Sequence, residues 1–249
     1  MPDVAATNPR RFPPHLGALC DAVVLMHTAE QLAALAAACQ QFRGAEAPKG
    51  YHDGLALCVI DSVQSTGVTY SSVGKVLDRY RAYRRGQDGD PAADGTAELL
   101  ATFDDCDGPD GWAARIGTRN RTSTRGGVLK AEAIRDAARV LAAEGIGTTT
   151  DFRAAAADEA RLEQARKAWC AVKGQRSGIT WRYVLMLVGV PGVKPDRMIC
   201  RFVAGALDVP RRNVGAAFVA GIVTATAPEL EMSATALDHA IWRFERGRR

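Results

Sequence analysis

The chain is expected to be all-α. Three observations lead there: alanine is very abundant while aromatic residues make up only 6% of 249 positions, apolar residues recur at helical spacing in segment after segment, and cap signals stand at several segment starts. Alanine loses least on entering a helix, and a core of small side chains suits helices packed closely on one another. A 47% hydrophobic composition at this length is enough to bury a core without disulfides or metal.

Taken in order, residues 1–15 are Pro-rich and read as extended chain. Thr28 and Gln31 have capping-box spacing ahead of AEQLAALAAACQQF, which predicts a helix over 29–42. GLALCVIDSVQSTG is a short apolar run compatible with a buried strand or a buried helix. The helical spacing of Val73, Val76, Leu77 and Tyr80 resolves it as the first arm of a helical hairpin turned at Ser65, Thr66 and Gly67. Two acidic loops follow, RRGQDGDPAAD (84–94) and DDCDGPDG (104–111). In IGTRNRTSTRGGVLK the sign reverses, with Arg115 just ahead of it and Arg119, Arg121, Arg125 and Lys130 within it, and no acid among them.

Helical patterns resume over LKAEAIRDAARVLAAEG and over 159–172. A Gly-bearing turn with Lys173 and Arg176 then leads into an apolar helix of about ten residues. Such a turn can present backbone N–H groups to a phosphate at a helix start. Further helices are expected over 197–207, near 214–225, and after Ser233, the last with a buried stripe of Leu237, Ile241 and Phe244. Asp196, between Pro195 and Arg197, has the position of a helix N-cap.

The net charge of +4 permits nucleic-acid binding without requiring it. The six cysteines, Cys20, Cys39, Cys58, Cys106, Cys170 and Cys200, include no close pair and no His at ligand spacing, so they read as small buried hydrophobes in a reducing compartment. No apolar signal core opens the chain, and the longest apolar runs are too short to span a bilayer. The expectation is a cytoplasmic protein with no membrane contact, no metal and no cofactor.

Three places in order resemble the helix-hairpin-helix DNA glycosylase superfamily, the one that includes endonuclease III and the adenine glycosylases. GLALCVIDSVQSTGVTYSSVGKVLDRY looks like the family's early helix pair, with SVQS in place of its Ser-x-Gln turn. VLKAEAIRDAARVL looks like its Lys-Ala helix, and KGQRSGITWRYVLML stands where the hairpin stands. PDRMICRFV follows the pattern of a catalytic Asp trailed by an Arg. The resemblance covers roughly residues 50 to 205.

It implies two lobes, a central one of residues 51–190 and a second built from 1–50 and 191–249, with duplex DNA bearing a damaged or modified base between them. It implies a monomer, associated with the nucleoid, that flips the base and hydrolyses its glycosidic bond. Asp196 would be the catalytic carboxylate and Gln64 the amide inserted into the stack. Phosphates would be gripped by Lys173, Gly174, Arg176, Ser177 and Gly178 of the hairpin, with Arg121, Lys130, Lys194, Arg197 and Arg201. Arg197 and Arg201 could equally pair with an acidic face. Asp61, Tyr70 and Trp181 are candidates for the base pocket, each also able to pack or cap.

Two departures matter. The hairpin lacks the Leu-Pro-Gly-Val-Gly form, and the place of the nucleophilic lysine of bifunctional members is held by Ser177 or Gly178, which suits a monofunctional enzyme. The alternatives are a catalytically silent DNA-binding member, a bifunctional enzyme that uses Lys173 or Lys194 as its amine, or a helical interaction protein unrelated to DNA, recognised by the absence of salt-dependent duplex binding. The iron–sulfur cysteines of endonuclease III have no counterpart, because only Cys200 follows Asp196.

Overall fold

The computed structural model describes residues 27–248. Among them the regular structure is entirely helical apart from one antiparallel bridge between Arg121 and Leu129. The elements are α1 (Ala29–Cys39), α2 (Leu55–Gln64), α3 (Tyr70–Arg85), α4 (Thr96–Asp104), α5 (Pro109–Arg115), α6 (Lys130–Ala143), α7 (Thr149–Ala156), α8 (Glu159–Ala171), α9 (Ile179–Leu187), α10 (Arg197–Ala206), α11 (Ala216–Glu229) and α12 (Ala234–Gly247). Short 3-10 turns follow α1 and α10. The expected Pro-rich start and Cys20 lie outside the described residues. No helix among the described residues is long and apolar enough to cross a membrane.

The capping signals act as expected. Thr28 and Gln31 close a reciprocal box at α1, Ser233 accepts from Ala236 N at 3.1 Å, and Asp196 caps α10. The run at 55–64 is a helix buried along its whole length, its polar residues Asp61, Ser62 and Gln64 included. It packs against α3, α4, α6 and α9.

Three helices went unforeseen. α4 and α5 occupy stretches treated as acidic loop or left unassigned, and α7 is opened by a capping box between Thr148 and Asp151. The N-cap of α4 is Gly95, which has no side chain to cap with. The Glu98 carboxylate reaches back to the Gly95 N–H at 2.8 Å instead, so the signal sits inside the helix rather than ahead of it.

Buried apolar side chains form two clusters. The first runs from Leu55 to Val188 and is centred on α2, α6 and α9, with Trp112, Trp169 and Trp181 fully enclosed. The second joins Leu35, Cys39 and Phe42 to residues from Val193 to Ile241, so α1 packs on α10 and α11 far along the chain. Residues 189–196, which carry no helix, cross from one cluster to the other. Cys39, Cys58, Cys106 and Cys200 are buried and Cys170 is half-buried, all as free thiols.

Candidate functional site

At the crossing between the clusters, side chains from six segments meet. Asp196 is half-exposed, and its Oδ1 accepts from the backbone N–H of Met198 at 2.7 Å and of Ile199 at 3.3 Å. Those two donors belong to the first turn of α10, so the side chain closes the helix start. Two residues earlier, Lys194 donates from Nζ to Ser65 Oγ at 2.9 Å and lies 3.7 Å from the Tyr183 ring centre. Burial lowers its pKa, while the charges of Asp196, Asp61 and Asp238 oppose that shift.

Asp61 lies on the buried helix α2 and is 0% exposed. Tyr51 donates its hydroxyl to Oδ2 at 2.9 Å, whereas Oδ1 has no hydrogen-bond partner. Burial raises the carboxyl pKa to about 6, with Tyr51, Lys194, Tyr183 and Arg81 pulling it back down. Asp238 on α12 accepts the Lys194 N–H at 2.9 Å, and burial pushes its pKa up to about 8. At the solvent edge Tyr70 is 46% exposed and meets Trp242 edge-on at 5.9 Å, with His239 stacked on the other ring of that contact at 5.9 Å.

A second region is basic. The turn between α8 and α9 exposes Lys173, Gly174, Arg176 and Ser177, and half-buried Gly178 begins α9 in the left-handed region at φ 70°. Gly174 also has positive φ, and a Cβ there would come within 2.4 Å of Thr122 Cβ. That closeness seats the hairpin turn directly against the basic loop carrying Arg121 and Arg125, both exposed. Buried Gln175 anchors the turn from within: its Oε1 accepts from Thr180 Oγ1 at 2.6 Å, which in turn accepts from Trp169 Nε1 at 3.0 Å.

Several sequence candidates lie elsewhere. Lys130 is 1% exposed and donates to the carbonyls of Gln64 at 2.8 Å and Thr66 at 2.5 Å, so it closes the C-terminus of α2 and is removed from any phosphate. Trp181 is a core residue, packed on Phe152 and Trp169, because its helix turns that face into the first cluster. Gln64 is buried rather than projecting, with Nε2 unpaired. Of the two readings of Arg201, the acid partner holds: it pairs with Glu245 on α12. Arg121 ties its own loop by donating to the Gly127 carbonyl at 2.8 Å, and Arg197 is exposed at the start of α10.

The structure therefore gathers Asp61, Lys194 and Asp196, with Tyr70 at the rim, and keeps Trp181 and Lys130 apart from them. Tyr51, Ser65, Tyr183, Asp238, His239 and Trp242 went unrecognised. One signal was available for Asp238. It stands one residue from Leu237 and three before Ile241, on the buried stripe itself, where a carboxylate calls for an explanation.

A family model described as Domain of unknown function (DUF8548) matches residues 33–246. The chain belongs to that family. No curated protein and no solved structure matches it. The matched span includes both hydrophobic clusters and every residue of the crossing, so the site is built wholly from the family's domain. Among the described residues no group of three or more His, Cys, Asp or Glu side chains is placed to hold a metal ion.

Proposed function

We propose that this DUF8548 protein is a DNA glycosylase that extrudes a damaged or modified base and hydrolyses its bond to deoxyribose. The observation that carries the reading is Asp196: a carboxylate held by two backbone N–H groups at the start of α10, on the seam between two hydrophobic clusters. Cleaving an N-glycosidic bond develops positive charge on the sugar. A carboxylate fixed beforehand in its charged form stabilises that charge and can orient the attacking water. As a glycosylase, the protein would use the two hydrophobic clusters as its lobes and meet the duplex at the crossing between them.

The exposed basic turn and loop, with Lys173, Arg176, Arg121 and Arg125, supply a positive face for the duplex backbone. The resemblance of residues 50 to 205 to the helix-hairpin-helix glycosylases points the same way. Gln64 would have to leave its buried place to enter the stack. The turn that carries it is held from two sides, by Lys130 on the carbonyls of Gln64 and Thr66 and by Lys194 on Ser65.

The test is excision. Duplexes carrying uracil, mismatched thymine, oxidised, alkylated and hypermodified bases are incubated with excess protein and then treated with alkali. Release of a free base, with strand breaks only after alkali, is expected. A protein that binds these duplexes and releases nothing would be a silent DNA-binding member.

One observation favours a lyase as a second reading. Lys194 is an amine with a pKa lowered by burial, close to Asp196, which is the state a nucleophilic lysine needs. Borohydride trapping of a covalent DNA adduct, lost in Lys194→Met, would establish it.

A further inference from the structure

Thr235, Asp238, His239 and Trp242 recur at helical spacing on α12, so they share one face of that helix. The face runs beside the buried stripe of Leu237 and Ile241, where an apolar side chain would bury at less cost than a hydroxyl or a carboxylate. His239 and Trp242 stack on each other and meet Tyr70 at the rim. Thr235 and Asp238 instead reach the backbone of the crossing. The Gly192 N–H donates to Thr235 Oγ1 at 3.0 Å, and that hydroxyl lies 3.3 Å from the Gly192 carbonyl, to which it donates in turn. The Lys194 N–H donates to Asp238 Oδ1 at 2.9 Å.

These bonds supply what the crossing cannot supply for itself. Residues 189–196 carry no helix, so their N–H groups have no ladder to join, and Pro195 has none to give. The Asp196 N–H donates to the Lys194 carbonyl at 2.7 Å. Lys194 is thus held at its N–H by α12 and joined through its carbonyl to the residue that caps α10. α12 also packs along α10. The helix that Asp196 closes and the segment that leads into it therefore rest on one support.

Resting on the glycosylase reading, we propose that Thr235 and Asp238 are positioning residues, which hold the crossing so that the Asp196 carboxylate stands where positive charge develops on the sugar. Stabilisation of that charge requires a group fixed before the bond breaks, and a displacement of about 1 Å costs about 100-fold in rate. The two cap bonds fix the Asp196 side chain relative to α10. Thr235 and Asp238 fix the backbone that carries it relative to α12. Neither touches the sugar, so both act through Asp196.

The experiment measures single-turnover excision and duplex affinity on whichever duplex the wild type cuts fastest, at a temperature where each variant is folded. Thr235→Val has nearly the same shape but loses both bonds to Gly192, and should slow excision about tenfold. Asp238→Ala should slow it about 100-fold. Thr235→Ser and Asp238→Asn keep an acceptor oxygen and should recover most of each loss. Duplex affinity should stay within about threefold throughout, because the effect falls on the chemical step.

The decisive measurement repeats Thr235→Val and Asp238→Ala in Asp196→Asn protein. Residues that act through one charge lose their effect once it is gone, so each double variant should excise within about twofold of Asp196→Asn alone. A role in folding alone would slow both backgrounds alike. If Asp238→Ala does not fold, Thr235→Val decides the matter. Equal slowing in both backgrounds, rates near wild type in Thr235→Val, no recovery with Ser or Asn, or a loss confined to duplex affinity would overturn the positioning role and leave the glycosylase reading standing. A wild type that releases no base from any duplex would overturn both.

Discussion

Replacing Asp196 by Asn separates the cap, which rests on one oxygen, from the charge that the proposed chemistry needs. Oδ1 accepts both N–H groups, at 2.7 and 3.3 Å, and an Asn oxygen in the same place accepts them too. Asn and Asp are about equal as N-caps. What is lost is the interaction of one negative charge with the helix dipole, about 0.3–1 kcal/mol at a half-exposed position. Lys194 loses one of three neighbouring carboxylates, and buried Asp238 loses a repelling charge, two changes of opposite sign.

The net cost is therefore about 1 kcal/mol or less, a fall in Tm of no more than about 4 °C for a chain of this size. Asp196→Ala removes the cap as well and should cost a further ~1 kcal/mol. Excision, by contrast, should fall about 100-fold or more in the Asn variant, since a preorganised charge of ~3 kcal/mol is absent from the transition state. Duplex affinity should hold or tighten, with one less negative charge facing the phosphates. The assay pairs thermal denaturation with single-turnover excision on whichever duplex the wild type cuts fastest. Excision near the wild-type rate at unchanged Tm would reduce Asp196 to a helix cap. A Tm loss beyond about 8 °C would refute the capping argument instead.

Three other outcomes are expected. Asp94 is 3% exposed and accepts from Tyr80 Oη at 2.8 Å and from Arg84 at 2.7 and 3.1 Å. Asp94→Ala takes the acceptor from the half-buried Arg84 guanidinium and the buried Tyr80 hydroxyl and should lower stability by about 2–3 kcal/mol in denaturant titration, and a loss under about 1 kcal/mol would contradict the pairing. Asp238 has a folded pKa raised to about 8 from an ordinary value of 3.8. Its contribution is complete below that ordinary value and is lost as pH rises towards 8, at up to about 1.4 kcal/mol per pH unit. Asp238→Asn should therefore gain on the wild type between about pH 5 and 8, and parallel stability curves would show that Asp238 is ionised at little cost. Finally, neutralising Arg121, Lys173 and Arg176 singly should each weaken duplex binding and reduce the salt slope by about 1. Unchanged slopes would remove the basic turn and loop from the interface.

What the sequence determined by itself is what local interactions decide. Helix periodicity and side-chain caps are written within four residues of where they act. Hence α1, α10 and α12 are legible from Thr28, Asp196 and Ser233, and the hairpin of α2 and α3 from apolar spacing. α4 escaped because its capping glutamate follows a glycine, and α5 because a helix of seven residues barely completes a periodic pattern.

The site was decided by tertiary structure. Asp61, Lys194 and Asp238 are separated by more than forty residues at each step, and their pKa shifts come from burial among helices that no local pattern pairs together. The same holds for the failures. Lys130 and Trp181 carry the right chemistry for DNA, but which face of a helix turns inward depends on its neighbours, and α2 and the first cluster claimed both. A side chain's type announces what it can do, and only packing sets whether water, a partner or a substrate can reach it.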